Sequence, residues 1–130
     1  MDLRLSVLDL ASRLAAHASQ RQGVIAENVA HADTPGYRAR DLADFSESLA
    51  PGAPFVARTT RAGHVAFGAD PRGFESREVA AFGAAQPNGN TVSLEDQMMR
   101  AADARHAHDL ALGVYGKSLD ILRAGLGRGR

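Results

Sequence analysis

Five histidines and fifteen carboxylates are the groups in this sequence that could do chemistry, and their types suggest metal binding. On a helix, two side chains share an ion only if they lie three or four positions apart. Glu27 with His31, and Asp103 with His106, meet that spacing. His106 and His108 do not, because residues two apart diverge by about 200°. A carboxylate–histidine site in a helical bundle needs the Glu-x-x-His arrangement twice, with further Glu residues, and neither pair matches it. These side chains are therefore expected to be solvated or to face an interface, with no metal and no cofactor. A small helical metal-binding enzyme stays as the alternative from a different functional class. The absence of cysteine removes disulfides, thiolate zinc sites and a cysteine nucleophile. No phosphate loop, nucleophile elbow or dinucleotide fingerprint occurs. Neither catalytic residues nor a small-molecule substrate is expected.

The surrounding composition points the same way. The 130 residues suffice for one domain, and 45% hydrophobic content with only 5% aromatic residues, much of it Ala, allows a modest core. Basic and acidic residues cancel, and no segment carries the basic excess expected of a nucleic-acid binder. Arg4, Asp9 and Arg13 interrupt what would be the apolar region of a signal peptide. No cleaved signal is expected, and no stretch is long and apolar enough to cross a bilayer. Export would require a route that reads no conventional signal.

The elements that must position any functional side chain are two long helices. All five prolines lie between Pro35 and Pro87, so helix breakers crowd the middle of the chain. The expected order is an N-terminal helix over 1–34, a turn and irregular or β-containing middle loop over 35–92, a C-terminal helix over 93–124, and a flexible tail over 125–130. In the first helix Val7, Ala11, Leu14, Ala18, Gln22, Ile25, Val29 and Ala32 form one stripe. About thirty helical residues would span roughly 45 Å. In the last helix Leu94, Met98, Ala101, Arg105, His108, Leu112, Tyr115, Leu119, Leu122 and Leu126 form a heptad seam. Ala104, Ala107, Ala111, Val114, Ser118, Ile121 and Gly125 form a second stripe of mostly small residues beside it.

One broad face could pack into one core, or each stripe could meet a different neighbour. Ordering two long helices costs more than the large seam residues return in one copy, so the isolated chain is expected to be partly unfolded and to order within an assembly. Arg105 and His108 break the seam, either with heads in water or as register-fixing partners for a neighbouring subunit. Ser93 is a predicted N-cap, Glu95 and Asp96 suit the positive end of the helix dipole, and Arg123 suits the other end. In the middle, 54–57 and 64–67 are strand candidates between Gly and Pro residues. Arg38, Arg40 and Asp41 read as a solvated loop.

Thr34-Pro35-Gly36-Tyr37 predicts a type II turn, with Pro fixing the first φ and Gly supplying the positive φ of the second position. The run Asn28-Val29-Ala30-His31-Ala32-Asp33-Thr34-Pro35-Gly36-Tyr37 resembles the signature near the N-terminus of bacterial flagellar rod and hook proteins, Asn-Ile-Ala-Asn-x-x-Thr-Pro-Gly-Tyr. Arg38 to Phe45, and Asn88-Gly89-Asn90-Thr91-Val92-Ser93-Leu94-Glu95, are most similar to the proximal rod branch of that family, another axial rod component being the runner-up. His31 departs from the usual Asn, and Ala43 lengthens the Asp-x-Asp-Phe pattern by one residue.

The resemblance implies a mainly α fold, with the two terminal helices packed as an antiparallel coiled-coil-like hairpin. It implies a structural subunit, not an enzyme, which polymerises through its terminal helices into a rod crossing the periplasm. Expected partners are copies of itself, other flagellar rod proteins, the membrane ring adaptor and the flagellar type III export gate, without nucleic acid. Export by that apparatus, without signal cleavage, is part of the same implication. Asn28, Asp33, Thr34, Pro35, Gly36 and Tyr37 are the motif residues carried over. Asn28 is a candidate to bond a neighbouring backbone, and Tyr37 to pack outside the helical tube. From the stripes, Leu14, Ile25, Val29, Met98, Leu112, Tyr115, Leu119 and Leu122 are candidate interface residues.

Overall fold

The computed structural model describes residues 2–49 and 74–127. In chain order they form α1 (Asp2–Ala30), β1 (Arg40–Leu42), the single turn α2 (Phe45–Ser48), β2 (Ser76–Glu78) and α3 (Leu94–Gly127). The chain is mainly α, as expected: α1 and α3 pack along each other as an antiparallel hairpin, with a two-stranded sheet at one end. The strands pair antiparallel, Arg40 opposite Glu78 and Leu42 opposite Ser76. The sheet thus joins the two ends of the middle segment and is not a local hairpin. The candidate strands at 54–57 and 64–67 lie outside the described residues.

Helix boundaries differ from expectation for local reasons. α1 stops at Ala30, before Thr34, and its backbone tightens through Ala32 N–H to Val29 O and Thr34 N–H to His31 O. Such i to i−3 bonds commonly close a helix that is about to turn. α3 starts as predicted, with Ser93 Oγ 3.4 Å from the Asp96 N–H it caps. It continues through Gly125 to Gly127, however, so the anticipated tail is helical at least that far. Arg123 is therefore not in the last turn, and its carboxylate neighbour is Asp120 at 3.9 Å.

The line along which the helices meet is the stripe of small residues. Ala11, Ala18 and Ile25 on α1 and Gln97, Ala104 and Ala111 on α3, each set spaced by seven, are all less than 5% exposed. Alanine at these positions lets the backbones approach, with little side-chain bulk between them. The large heptad seam, anticipated as a packing line, stays mostly uncovered: Leu94, Met98, Leu112 and Tyr115 are 40–73% exposed. At 100° per residue, Leu94 and Leu112 lie about 80° to one side of Ala104, whereas Val114, Ile121 and Leu110 lie about 80–120° to the other. The hairpin consequently has an Ala-rich centre and an apolar flank on each side.

Candidate functional site: a polar latch and an exposed seam

At the end of the hairpin where α1 finishes and α3 begins, the two signature segments lock together. Tyr37 N–H reaches Thr34 O at 3.3 Å and Gly36 has φ +72°, the geometry expected of a type II turn. Residues 88–92 then lie against that turn. Gly36 N–H donates to Asn88 O at 2.9 Å, Thr91 N–H to Tyr37 O at 3.0 Å, and Ala39 N–H to Thr91 Oγ1 at 2.8 Å. The buried side chain of Asn90 donates through Nδ2 to His31 O and Thr34 O, adding a second hydrogen bond to carbonyls just past α1 that also accept from Thr34 N–H and Tyr37 N–H. Its Oδ1 accepts from Val92 N–H at 2.8 Å. Gly89 has φ +82°, and a Cβ there would stand 3.5 Å from Gly36 Cα, so the two glycine backbones meet almost directly.

Asn28, fully buried in the last turn of α1, holds the strand to the helix. Its Nδ2 donates to Arg40 O at 2.7 Å and to Gln97 Oε1 at 2.9 Å. Its Oδ1 accepts from Arg40 N–H at 3.0 Å and from the Tyr37 hydroxyl at 3.2 Å. The backbone it bonds is thus that of its own chain. Two turns earlier, Gln20 makes the same two-point contact with Phe74, Nε2 to O at 2.8 Å and N–H to Oε1 at 3.0 Å. Tyr37 lies over His31 with ring planes 9° apart and centroids at 4.6 Å, so it packs on α1 and is half-buried. Burial, then the nearby Glu27, raise its hydroxyl pKa, against the opposing effect of Arg40.

Below this, a buried ion network ties three elements. Asp41 of β1, read from sequence as solvated, is 3% exposed. It accepts a two-point contact from Arg21 of α1 at 2.9 and 2.8 Å, and a further hydrogen bond from Arg100 of α3. Arg100 also reaches Asp96 at 2.7 Å. Burial alone would push the Asp41 carboxyl up. The hydrogen bonds from Arg21, Arg100 and the Leu42 N–H outweigh it and hold the pKa below the ordinary carboxylate value. The hydrogen bond to Asp41 raises Arg21. Burial lowers Arg100, but its bonds to Asp96 and Asp41 prevail and raise it. Among the described residues no buried side-chain polar atom lacks a partner.

Arg21, Asp41, Gln97 and Arg100 were not found by sequence reasoning. The Asp96–Arg100 spacing of four was the one visible signal, since the other partners come together only through the turn at Thr34. The histidine and carboxylate pairs do not converge, and among the described residues no group of three or more such side chains is placed to hold a metal. His31 Nδ1 lies 2.9 Å from Glu27 O, a backbone contact at the helix end where the family pattern has Asn. His17 sits buried between Phe45 and Phe74, with Nε2 2.8 Å from Ala43 O.

The remaining sequence-derived candidates divide by exposure. Ile25 is buried inside the hairpin, and Leu14, Leu119 and Leu122 are half-buried. Val29, Met98, Leu112 and Tyr115 are exposed, as are Asp33, Thr34, Pro35 and Gly36 around the turn. Ile121, Leu126 and Leu110, more than half exposed, extend the uncovered apolar surface. Exposed apolar surface of this extent commonly marks an interaction site.

No family model matches the chain. Curated relatives do. The Flagellar basal body rod protein FlgB of Escherichia coli (strain K12) is 51% identical over 49 residues, which span 35% of this chain and 35% of that protein. The protein of the same name from Salmonella typhimurium (strain LT2) is 31% identical over 133 aligned residues, covering 88% of this chain and 91% of the relative. That of Agrobacterium fabrum (strain C58) is 30% identical, over 82% and 81% respectively. With the latch formed by the two segments that carry the signature, and with nearly end-to-end similarity to the Salmonella protein, the chain belongs to the FlgB family of flagellar basal body rod proteins.

Proposed function

We propose that this chain is a structural subunit of the proximal part of the bacterial flagellar rod and polymerises through the outward faces of its terminal helices. Copies of itself and other rod proteins cover the apolar flanks of α3, and the assembled shaft joins the membrane ring and the export gate to the distal rod and transmits torque. It stands in the periplasm, reached through the flagellar type III apparatus without loss of a signal peptide. Function resides in shape and contact, with no substrate turned over.

The observation that carries this reading is the division of labour on α3. Small side chains face α1, while Leu94, Met98, Leu110, Leu112 and Ile121 are each more than half exposed. A helix serving only its own hairpin would place its largest apolar residues inward. Interfaces of lasting assemblies are instead built from apolar surface left open on the protomer. The latch supports the mechanical role, because it fixes the exit of the chain from α1 relative to the start of α3 by direct hydrogen bonds. The half of the hairpin beyond the latch gains order from neighbours.

The test is to delete the encoding gene, restore a tagged copy, and image purified basal bodies. Loss of swimming on deletion, with the tag found at the membrane-ring end of the rod, is the expected result. A motile deletion strain, or a tag elsewhere on the axis, overturns the assignment.

A further inference from the structure

The latch contains a chemically labile bond. Of the three asparagines in the sequence, Asn28 precedes Val, Asn90 precedes Thr, and Asn88 precedes Gly89. An asparagine modifies itself when the next residue's backbone nitrogen attacks its side-chain carbonyl carbon. A side chain on that next residue hinders the attack, and glycine has none. Asn88 and Gly89 are both exposed, so water can reach them.

In the folded chain the reacting groups are tied to other partners. Gly89 N–H, whose nitrogen would be the nucleophile, donates to Gln86 O at 2.8 Å. The Asn88 carboxamide accepts Asn90 N–H through Oδ1 at 3.0 Å. The Asn88 main-chain carbonyl is held by Gly36 N–H at 2.9 Å. Attack requires Gly89 N to leave Gln86 and the carboxamide to leave Asn90, which means opening the 86–90 turn that docks on Thr34-Pro35-Gly36-Tyr37.

We infer that Asn88 is a self-modification site gated by the latch, protected while the latch is closed and converted to an acid when it stays open. The new bond joins Gly89 N to Asn88 Cγ. The carboxamide C–N bond breaks, and its nitrogen leaves as ammonia with the proton from Gly89. Water then opens the five-membered imide at either carbonyl, giving aspartate or isoaspartate; the sum is amide plus water to acid plus ammonia. Isoaspartate routes the main chain through the former side chain and so adds a carbon between the Asn88 Cα and Gly89. The longer link displaces the Asn88 carbonyl and the Gly89 N–H from the positions in which Gly36 N–H and Gln86 O hold them. A chain that lingers open therefore loses the ability to close, and one that closes promptly keeps its asparagine. This inference does not depend on the rod assignment.

The full chain is aged in mildly alkaline buffer, with and without urea, then analysed by peptide mass mapping and by isoaspartyl methyltransferase labelling. In urea, conversion is expected at Asn88 and not at Asn28 or Asn90. Without urea it is expected to be about tenfold slower or more, because only the open fraction reacts. Asn90→Ala, which removes the bonds to His31 O, Thr34 O and Val92 N–H from the latch, should raise the rate of the folded chain towards that in urea. Isoaspartyl chains returned to native buffer should lack hydrogen-exchange protection at Gly36 and Thr91, whereas Asn88→Asp, with no added carbon, should retain it. Equal rates with and without urea, no conversion of Asn88 in urea, or full protection in the isoaspartyl chain would each overturn the inference.

Discussion

The two ends of the α1–α3 hairpin are built on opposite principles. At the latch end Ala39, Leu42 and Val92 are buried beside a polar set, Asn28, Asp41, Asn90, Asp96 and Gln97, every one of which has hydrogen-bond partners within the chain. Towards the other end the contact is made by Ala11 and Ala111, while Val7, Leu10, Tyr115 and Ile121 stay open. A buried polar network is directional, so it sets one geometry at the cost of desolvation. An alanine line sets little except closeness. One end therefore supplies a fixed shape from within one chain, and the other leaves apolar surface that the chain does not itself cover.

The largest expected effect tests the self-sufficient end. Asp41→Ala leaves Arg21 and Arg100 facing each other without the carboxylate between them, a loss of about 4 kcal/mol, the range for breaking a buried charge pair. Chemical unfolding monitored by circular dichroism measures it. The acid limb of stability adds a sign. Because the folded Asp41 pKa is below its unfolded value, its contribution is fully present above the ordinary carboxylate pKa of about 4 and lost as pH falls through the lowered folded value. Asp41→Asn should make stability fall less steeply with pH in that acidic window. An unchanged slope would mean that the network does not hold the latch.

How much of this was legible in the sequence follows the same division. The helices, the turn at Thr34 to Tyr37 and the Ser93 cap are local, set by periodicity, Pro and Gly placement and one hydroxyl, and all were readable. The latch partners were not. Asn28 bonds Gln97, and Asp41 meets both Arg21 and Arg100, across sequence separations that no periodicity encodes. Asp41 looked like a solvated loop residue because its charge partners come from two other elements. The stripes were both visible, but spacing alone did not say which one meets α1. α3 places its alanines there, and Met98 and Leu112 of the large seam stay exposed.

Gly36→Val should have a smaller effect than Asp41→Ala, about 2 kcal/mol, and one confined to the latch. A Cβ at Gly36 meets nothing within 4 Å, so the cost is not a clash but the positive φ that a β-branched residue resists. Hydrogen exchange should quicken at Tyr37 and Thr91, and rods should assemble poorly, while α3 amides near Leu112 keep their rates. If those distant amides respond equally, the two ends are one cooperative unit and the contrast between them is lost.

The smallest effect on a single chain is expected at the open end, and it separates inside from outside on adjacent residues of one helix. Ala111, 1% exposed, and Leu112, 53% exposed, are neighbours on α3. Ala111→Leu forces a large side chain into the alanine line and should destabilise the hairpin by about 1–3 kcal/mol. Leu112→Ser removes a side chain that α1 does not cover, and should stay within about 0.5 kcal/mol in the same unfolding measurement. Its expected consequence appears elsewhere, as loss of incorporation into basal bodies, because the apolar surface given up is what a neighbouring copy would bury in the proposed rod. Were Leu112→Ser to unfold the monomer yet leave incorporation intact, the seam would belong to the chain's own core and the proposed interface would move to the opposite flank of α3, where Leu110, Val114 and Ile121 lie.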